Sequence, residues 1–184
     1  MRLAPVDKPR GLLVRLFLWA VRRQFGKSLT PYGVVFARMP GTVWAQLGIY
    51  WGLARALTIP EPLRFLVQTH VARLNGCDFC LDIGRAIAVY RGVTLEKVDA
   101  LDVWRTHSAF TGAERAALGY VEEVTRTKRA SDQTFAELRR HFDDRAIVEI
   151  TWLCAVENYF NLVNLPLGIE ADGLCAIAER RRAA

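Results

Sequence analysis

Apolar residues along this chain recur at helical rather than strand spacing. In "IPEPLRFLVQTHVARLNG", residues 59–76, Leu63, Leu66, Val67, His70, Val71 and Leu74 repeat at i, i+3, i+4, i+7, i+8 and i+11, one face of a helix. Pro62 suits the first turn of that helix and Asn75-Gly76 reads as its stop. A second helix is expected from about Cys77 to Tyr90, ending at Arg91-Gly92, and Thr94 can cap a shorter one through about Val103. Thr111 and Glu114 stand at capping-box spacing before "RAALGYVEEVTRT". Ser131 begins a further helix, and Asp143 opens a long one that ends near "NLPLG". No sustained period-two alternation runs through the chain, and no Asn-Gly turn joins two alternating runs. The pattern predicts an all-α protein with six or seven helices after the N-terminal segment.

The N-terminal stretch "GLLVRLFLWAVRRQFGK" changes this picture. A basic start followed by an apolar run imitates a signal peptide, but Arg15 interrupts the run and no small-residue cleavage site follows. No uninterrupted apolar stretch approaches the ~20 residues that span a bilayer, so a soluble, cytoplasmic protein is expected. On a helical wheel Leu12, Leu13, Leu16, Phe17, Ala20 and Val21 form one apolar stripe, while Leu18 and Trp19 fall near Arg15 and Arg22. A helix so apolar wants cover from its own domain or from a partner subunit; the alternative is a helix lying on a membrane surface. The reading divides the chain into a basic helical extension, residues 1–30, and a helical domain, residues 31–184.

Charge supports that division. The 184 residues carry a formal net charge of +6. Residues 1–30 hold seven basic side chains against Asp7, leaving 18 basic and 18 acidic residues in a neutral body. No basic stripe interleaved with aromatics crosses that body and no zinc-finger spacing occurs, which argues against a nucleic-acid partner. About half of the residues are apolar, enough for one sizeable core.

Candidate chemistry centres on four cysteines. Only Cys77 and Cys80, in "NGCDFC", form a local pair; a second close pair, which a four-cysteine zinc site needs, is missing. Cys154 lies in phase with Ile147, Ile150 and Thr151 and reads as a small core residue, and Cys175 sits near the C-terminus. With the preceding helix stopped at Gly76, Cys77 and Cys80 fall in the first turn of the next. There, free amide N–H groups and the helix dipole favour a thiolate. Three-residue spacing puts both sulfurs on one side of that turn, close enough to pair. The strandless pattern rules out a thioredoxin-like βαβ setting.

The blocks "LRFLVQTHVARLNGCDFCLDIGRAIA", "FTGAERAALGYVEEVT" and "FAELRRHFDDRAIVEITWLCAVENYFNLVNLPLGIE" resemble, in order and spacing, the carboxymuconolactone decarboxylase family and within it the alkylhydroperoxidase-D-like branch. The resemblance extends over roughly residues 35–172. It implies an all-helical bundle, assembly into trimers, hexamers or larger rings, and a cysteine pair that reduces hydroperoxides and is regenerated by a dithiol reductant. On that reading Cys80 attacks the peroxide and Cys77 resolves it; no cofactor or metal is implied. The decarboxylating branch lacks the cysteine pair that this chain keeps.

Two positions depart from the pattern. The redox branch places a glutamate twelve residues before the first cysteine and a histidine four residues after the second, as a proton relay; here those positions hold Phe65 and Gly84. General-base help of that kind is worth ~100- to 10,000-fold. Substitutes within the sequence are His70, seven residues before Cys77 on the apolar stripe, and Glu61, one turn before Phe65. Each has a plainer reading, His70 as a core or interface histidine and Glu61 as a partner of the helix dipole. Asp82 is expected to point elsewhere, and Glu157, if buried, needs a partner. Asn158, Asn161 and Asn164 are expected to satisfy buried backbone or inter-subunit groups. The leading expectation is a thiol-dependent peroxidase or disulfide oxidoreductase weakened by the lost relay. The alternative is a non-catalytic helical oligomer that binds a small apolar ligand or a protein partner.

Overall fold

The computed structural model of the chain describes residues 1–6, 9, 11–91 and 95–183, residues 182 and 183 by backbone alone. Among the described residues there are nine α-helices and no strand: α1 (Leu12–Phe25), α2 (Thr42–Trp51), α3 (Glu61–Asn75), α4 (Asp78–Arg91), α5 (Glu96–Asp99), α6 (Gly112–Thr127), α7 (Asp132–Arg139), α8 (Asp144–Asn164) and α9 (Leu174–Ala183). Two π-helical turns, Tyr32–Phe36 and Gly52–Ala56, flank α2. No described helix is long and apolar enough to cross a membrane.

Local punctuation behaves as the sequence indicates. Thr111 and Glu114 form a reciprocal capping box at α6, while Ser131 and Asp143 cap α7 and α8 by accepting from Thr134 and Ala146 backbone N–H groups. The expected stop at Gly92 and cap at Thr94 lie outside the described residues. Among the described residues eight α-helices follow α1 rather than six or seven, because α2 and α9 carry weak signals: "TVWAQLGIYW" is apolar nearly all round, and α9 is short, with four charged residues in ten.

Helix α3 packs against α8, α6 and α4, and α4 is covered in turn by α9. A buried carboxylate seats the start of α3. Glu149 of α8 accepts from Thr58 N at 2.8 Å, Ile59 N at 2.9 Å and Thr58 Oγ1 at 2.9 Å, and pairs with Arg145 at 2.9 Å. A second clamp holds α9 to α4: the Asp82 carboxylate accepts from the backbone N–H groups of Asp172, Leu174 and Cys175 at 2.9–3.0 Å. Asp172 in turn accepts from Thr30 N and Oγ1, both at 2.8 Å, and meets Lys27 at 3.1 Å.

The apolar stripe expected on α1 is corrected. The buried residues are Val14, Val21 and Phe25, with Phe17 and Leu18 half-buried beside them, whereas Leu12, Leu13 and Leu16 are exposed. Phe17 and Val21 of the expected stripe are kept, but contact with α9 and the first π-helical turn rotates the buried face toward Val14 and Phe25, which a helical wheel alone cannot choose. Val14, Val21 and Phe25 share one core with Cys77, Phe79 and Cys80, so the N-terminal helix is part of the packing around the cysteine pair.

Candidate functional site

The end of α3 and the start of α4 build the site from backbone chemistry. Gly76 takes the left-handed conformation at φ 69°, which a side chain would strain, and it turns the chain through one residue. Cys77 N then donates to Ala72 O at 2.9 Å, closing the end of α3, while Leu81 N donates to Cys77 O at 3.0 Å, opening α4. Cys77 is therefore the residue before the first helical turn, and its sulfur accepts from Cys80 N at 3.3 Å. Cys77 and Cys80 are joined as a disulfide. Both are buried, Cys77 at 1% exposure and Cys80 at 8%.

Opposite the disulfide runs the second half of α8. Its inward stripe is apolar at Ile150 and Cys154 and continues in phase as Glu157, Asn161 and Asn164, all buried. Asn161 Nδ2 donates to Cys80 Sγ at 3.1 Å and Asn164 Nδ2 to the same sulfur at 3.4 Å. Asn75, the last residue of α3, donates to Asn161 Oδ1 at 2.7 Å and to Asn158 Oδ1 at 3.0 Å. The asparagines expected to serve backbone or subunit contacts thus include two that bond the Cys80 sulfur, a correction made by the register of α8 against α4. Asn164 Oδ1 has no hydrogen-bond partner among the described residues.

Glu157 meets the same network. Its Oε1 accepts from Asn161 Nδ2 at 2.8 Å, so one amide nitrogen serves both the carboxyl and the Cys80 sulfur. Gln68 of α3 is its other side-chain partner, and among the described residues no cation pairs with it. Burial pushes its pKa up to about 7.

The sequence-level candidates are placed elsewhere. His70 is buried with its ring edge-on to Trp104 and its Nε2 3.5 Å from Glu122 Oε2, and burial lowers its pKa against the pull of Glu122. Glu61 pairs at the surface with Arg91 at 2.9 Å. At Gly84 a Cβ would meet only Thr69 Oγ1, at 3.9 Å, and Phe65 is half-buried. Cys154 and Cys175 are free, and burial raises the pKa of each. Among the described residues no three His, Cys, Asp or Glu side chains cluster as a metal site.

The chain has relatives. The model of the carboxymuconolactone decarboxylase family matches residues 40–123. An Escherichia coli relative, the uncharacterized protein YnjA, is 31% identical over 183 residues, covering 98% of this chain and all of its own. The chain belongs to the carboxymuconolactone decarboxylase family. Among solved structures, it is similar to a protein of unknown function from Agrobacterium tumefaciens described as a candidate antioxidant defence protein AhpD. That structure is 26% identical, with a TM-score of 0.69 over 75% of this chain and 96% of the other. The debrominase Bmp8 shares the fold more completely, with a TM-score of 0.80 over 96% of this chain and 95% of its own at 20% identity. A cysteine-to-alanine variant of Bmp8 is solved in complex with 2,3,4-tribromopyrrole.

Proposed function

We propose that Cys77 and Cys80 form a working dithiol–disulfide couple, used as a thiol-dependent peroxidase or disulfide oxidoreductase. The observation that carries this reading is the pair of side-chain amides, Asn161 and Asn164, aimed at Cys80 Sγ across a buried disulfide. A disulfide that serves stability alone needs no such donors, whereas a thiolate does. Charge-assisted hydrogen bonds of this kind are worth about 1.5–3 kcal/mol each, enough to offset a good part of the cost of burying the anion.

The chemistry balances. The Cys80 thiolate attacks one oxygen of a hydroperoxide, the O–O bond breaks, and a proton goes to the leaving alkoxide, giving alcohol and a sulfenic acid. Cys77 then attacks the sulfenic sulfur, forming the disulfide and releasing water. A dithiol reductant returns the couple to its starting state while becoming a disulfide itself. His70 and Glu61 keep their places as relay candidates only through movement, since neither bonds a cysteine in the oxidised state. Bmp8, which shares the fold, is a debrominase, and a brominated pyrrole is the second substrate class we propose for the same thiolate.

A homo-oligomer belongs to the same proposal. Leu12, Leu16 and Trp19 of α1, together with Trp44 and Trp51 of α2, are more than half exposed, a surface suited to subunit contact.

The test reduces the protein, adds a small hydroperoxide or 2,3,4-tribromopyrrole in separate arms, and follows the Cys77–Cys80 peptide by mass spectrometry. Return of the disulfide with loss of oxidant supports the reading, and Cys77→Ser should trap the sulfenic acid. Two thiols left free in both arms would leave the binding of an apolar ligand as the better account.

A further inference from the structure

One amide nitrogen, Asn161 Nδ2, is shared by two groups that can each carry negative charge. It lies 2.8 Å from Glu157 Oε1 and 3.1 Å from Cys80 Sγ, and its carbonyl is fixed by Asn75 at 2.7 Å, so both amide hydrogens are aimed. In the disulfide the sulfur is neutral and Glu157 alone can hold charge there. Reduction adds a thiolate on the other hydrogen of the same amide. Two anions at that spacing in a dry interior repel strongly, so their titrations are coupled.

We propose that Glu157 is the redox-linked proton site of the dithiol: it takes up a proton when the disulfide is reduced to the Cys80 thiolate and gives it back when the disulfide re-forms. This rests on the dithiol reading above. Glu157 is a positioning residue here, acting on Cys80 through Asn161. The balance is explicit. A dithiol reductant supplies two electrons, the Cys77–Cys80 bond breaks, and the reductant becomes a disulfide. Of its two protons one goes to the Cys77 thiol and the other to the Glu157 carboxylate. The device takes the place of a relay at Phe65 and Gly84 by a different route: the proton waits on α8, not on α3 or α4.

Among the described residues, Glu157 is the one carboxyl in this cluster. From α3 comes the neutral Gln68 amide, from its own helix Asn161 and the Cys154 thiol, whose pKa burial raises. Beyond that thiol, at the end of α6, the Lys128 amine acts on Cys154 in the opposite sense to Glu157 and is itself bonded to Thr125 O at 2.6 Å. His70 and Glu122 pair with one another. Burial that holds the carboxyl near neutrality in the oxidised protein sets the pH at which the coupling becomes visible.

The experiment measures the equilibrium of the full-length protein with dithiothreitol from about pH 6 to about pH 9, for wild type and Glu157→Gln. Each proton taken up on reduction changes that equilibrium tenfold per pH unit. Below neutrality the two profiles should run parallel. Above it the wild-type disulfide should become harder to reduce by a further tenfold per pH unit relative to Glu157→Gln, one extra proton. Parallel profiles over the whole range would overturn the assignment while leaving reversible dithiol chemistry intact; a disulfide that does not reduce reversibly in either protein would sink the dithiol reading itself. Should the variant fail to fold, a reduced-minus-oxidised infrared difference spectrum of wild type above neutrality decides the matter. A protonated carboxyl band must appear on reduction, and its absence contradicts the proposal.

Discussion

Glu149 and Glu157 lie little more than two turns apart on α8, each only 6% exposed, and their chemistry runs in opposite directions. Glu149 is surrounded by donors: two backbone N–H groups, a hydroxyl and a guanidinium, which together hold its pKa low against the desolvation that would raise it. Glu157 has two amides and no cation, and desolvation prevails. Both are nearly closed to solvent, but Glu157 lies deeper among protein atoms and has fewer donors, so depth together with the partners decides what a buried carboxyl does. Where they are complete the group is a fastener, here seating the first turn of α3. Where they are incomplete it is poised to change charge, and this one bonds the amide that serves Cys80.

The sharpest way to break the comparison is to delete the fastener. Glu149→Ala leaves the buried Ile59 N–H without its acceptor and removes the bonds to Thr58 and Arg145 as well, a loss of about 3 kcal/mol. At roughly 2–4 °C per kcal/mol in a chain of this size, the melting temperature should fall by about 10 °C. Activity per folded molecule should hold, as measured by thermal melting and by peroxide turnover on the folded fraction. A loss of turnover at unchanged stability would show that Glu149 is no mere fastener.

The two carboxyls also predict opposite pH slopes in the oxidised protein. Glu157 has a folded pKa raised above its unfolded value, so between about 4.5 and about 7 the native state binds the extra proton. Stability from this group is present below the unfolded value and is lost as pH rises through that window, by on the order of 3 kcal/mol. Glu149 has a folded pKa below the unfolded value of 4.5; its stability is present above that value and is lost as pH falls through the folded one. Urea unfolding at mildly acid and mildly alkaline pH should therefore show wild type losing stability toward alkali, with Glu157→Gln flattening that limb and leaving the acid limb alone. An unchanged alkaline limb in the variant would return Glu157 to an ordinary surface-like carboxyl.

How much of this was legible in the sequence follows from what each residue type announces. The ends of α3, α6, α7 and α8 were readable because capping is local: Gly76, Thr111 with Glu114, Ser131 and Asp143 satisfy backbone groups within three or four residues. The cysteine pair was readable for the same reason. The side chains that surround it were not, because Asn161 and Asn164 reach Cys80, and Glu157 reaches Asn161, from a helix about eighty residues away, and only the register between α8 and α4 decides what they touch. A trace existed: these three continue the buried stripe of Ile150 and Cys154 in phase, and polar residues persisting on a buried face mark a site rather than a surface. The α1 stripe was right at Phe17 and Val21 and wrong at Leu12, Leu13 and Leu16, because apolar residues lie nearly all round the helix and tertiary contact alone picks the buried side.

A smaller effect sharpens the account of the missing relay. Gly84 sits inside α4 with room for a Cβ, which would meet only Thr69 Oγ1 at 3.9 Å. Gly84→Ala should stabilise the protein by up to about 1 kcal/mol through helix propensity and leave peroxide turnover where it was. Destabilisation on thermal melting would mean that the lost histidine position is needed empty for packing rather than merely unused.

The most direct test of the central claim is the pKa of Cys80 in the reduced protein, read as site-resolved alkylation rate against pH, with Asn161→Leu beside wild type. Two amide donors at the sulfur and the start of α4 beneath it predict a Cys80 midpoint below the free-cysteine value of about 8.5, rising by about a unit or more when Asn161 is lost. A wild-type midpoint at or above that value, unmoved by Asn161→Leu, would contradict the claim that this end of α8 is built to hold a thiolate.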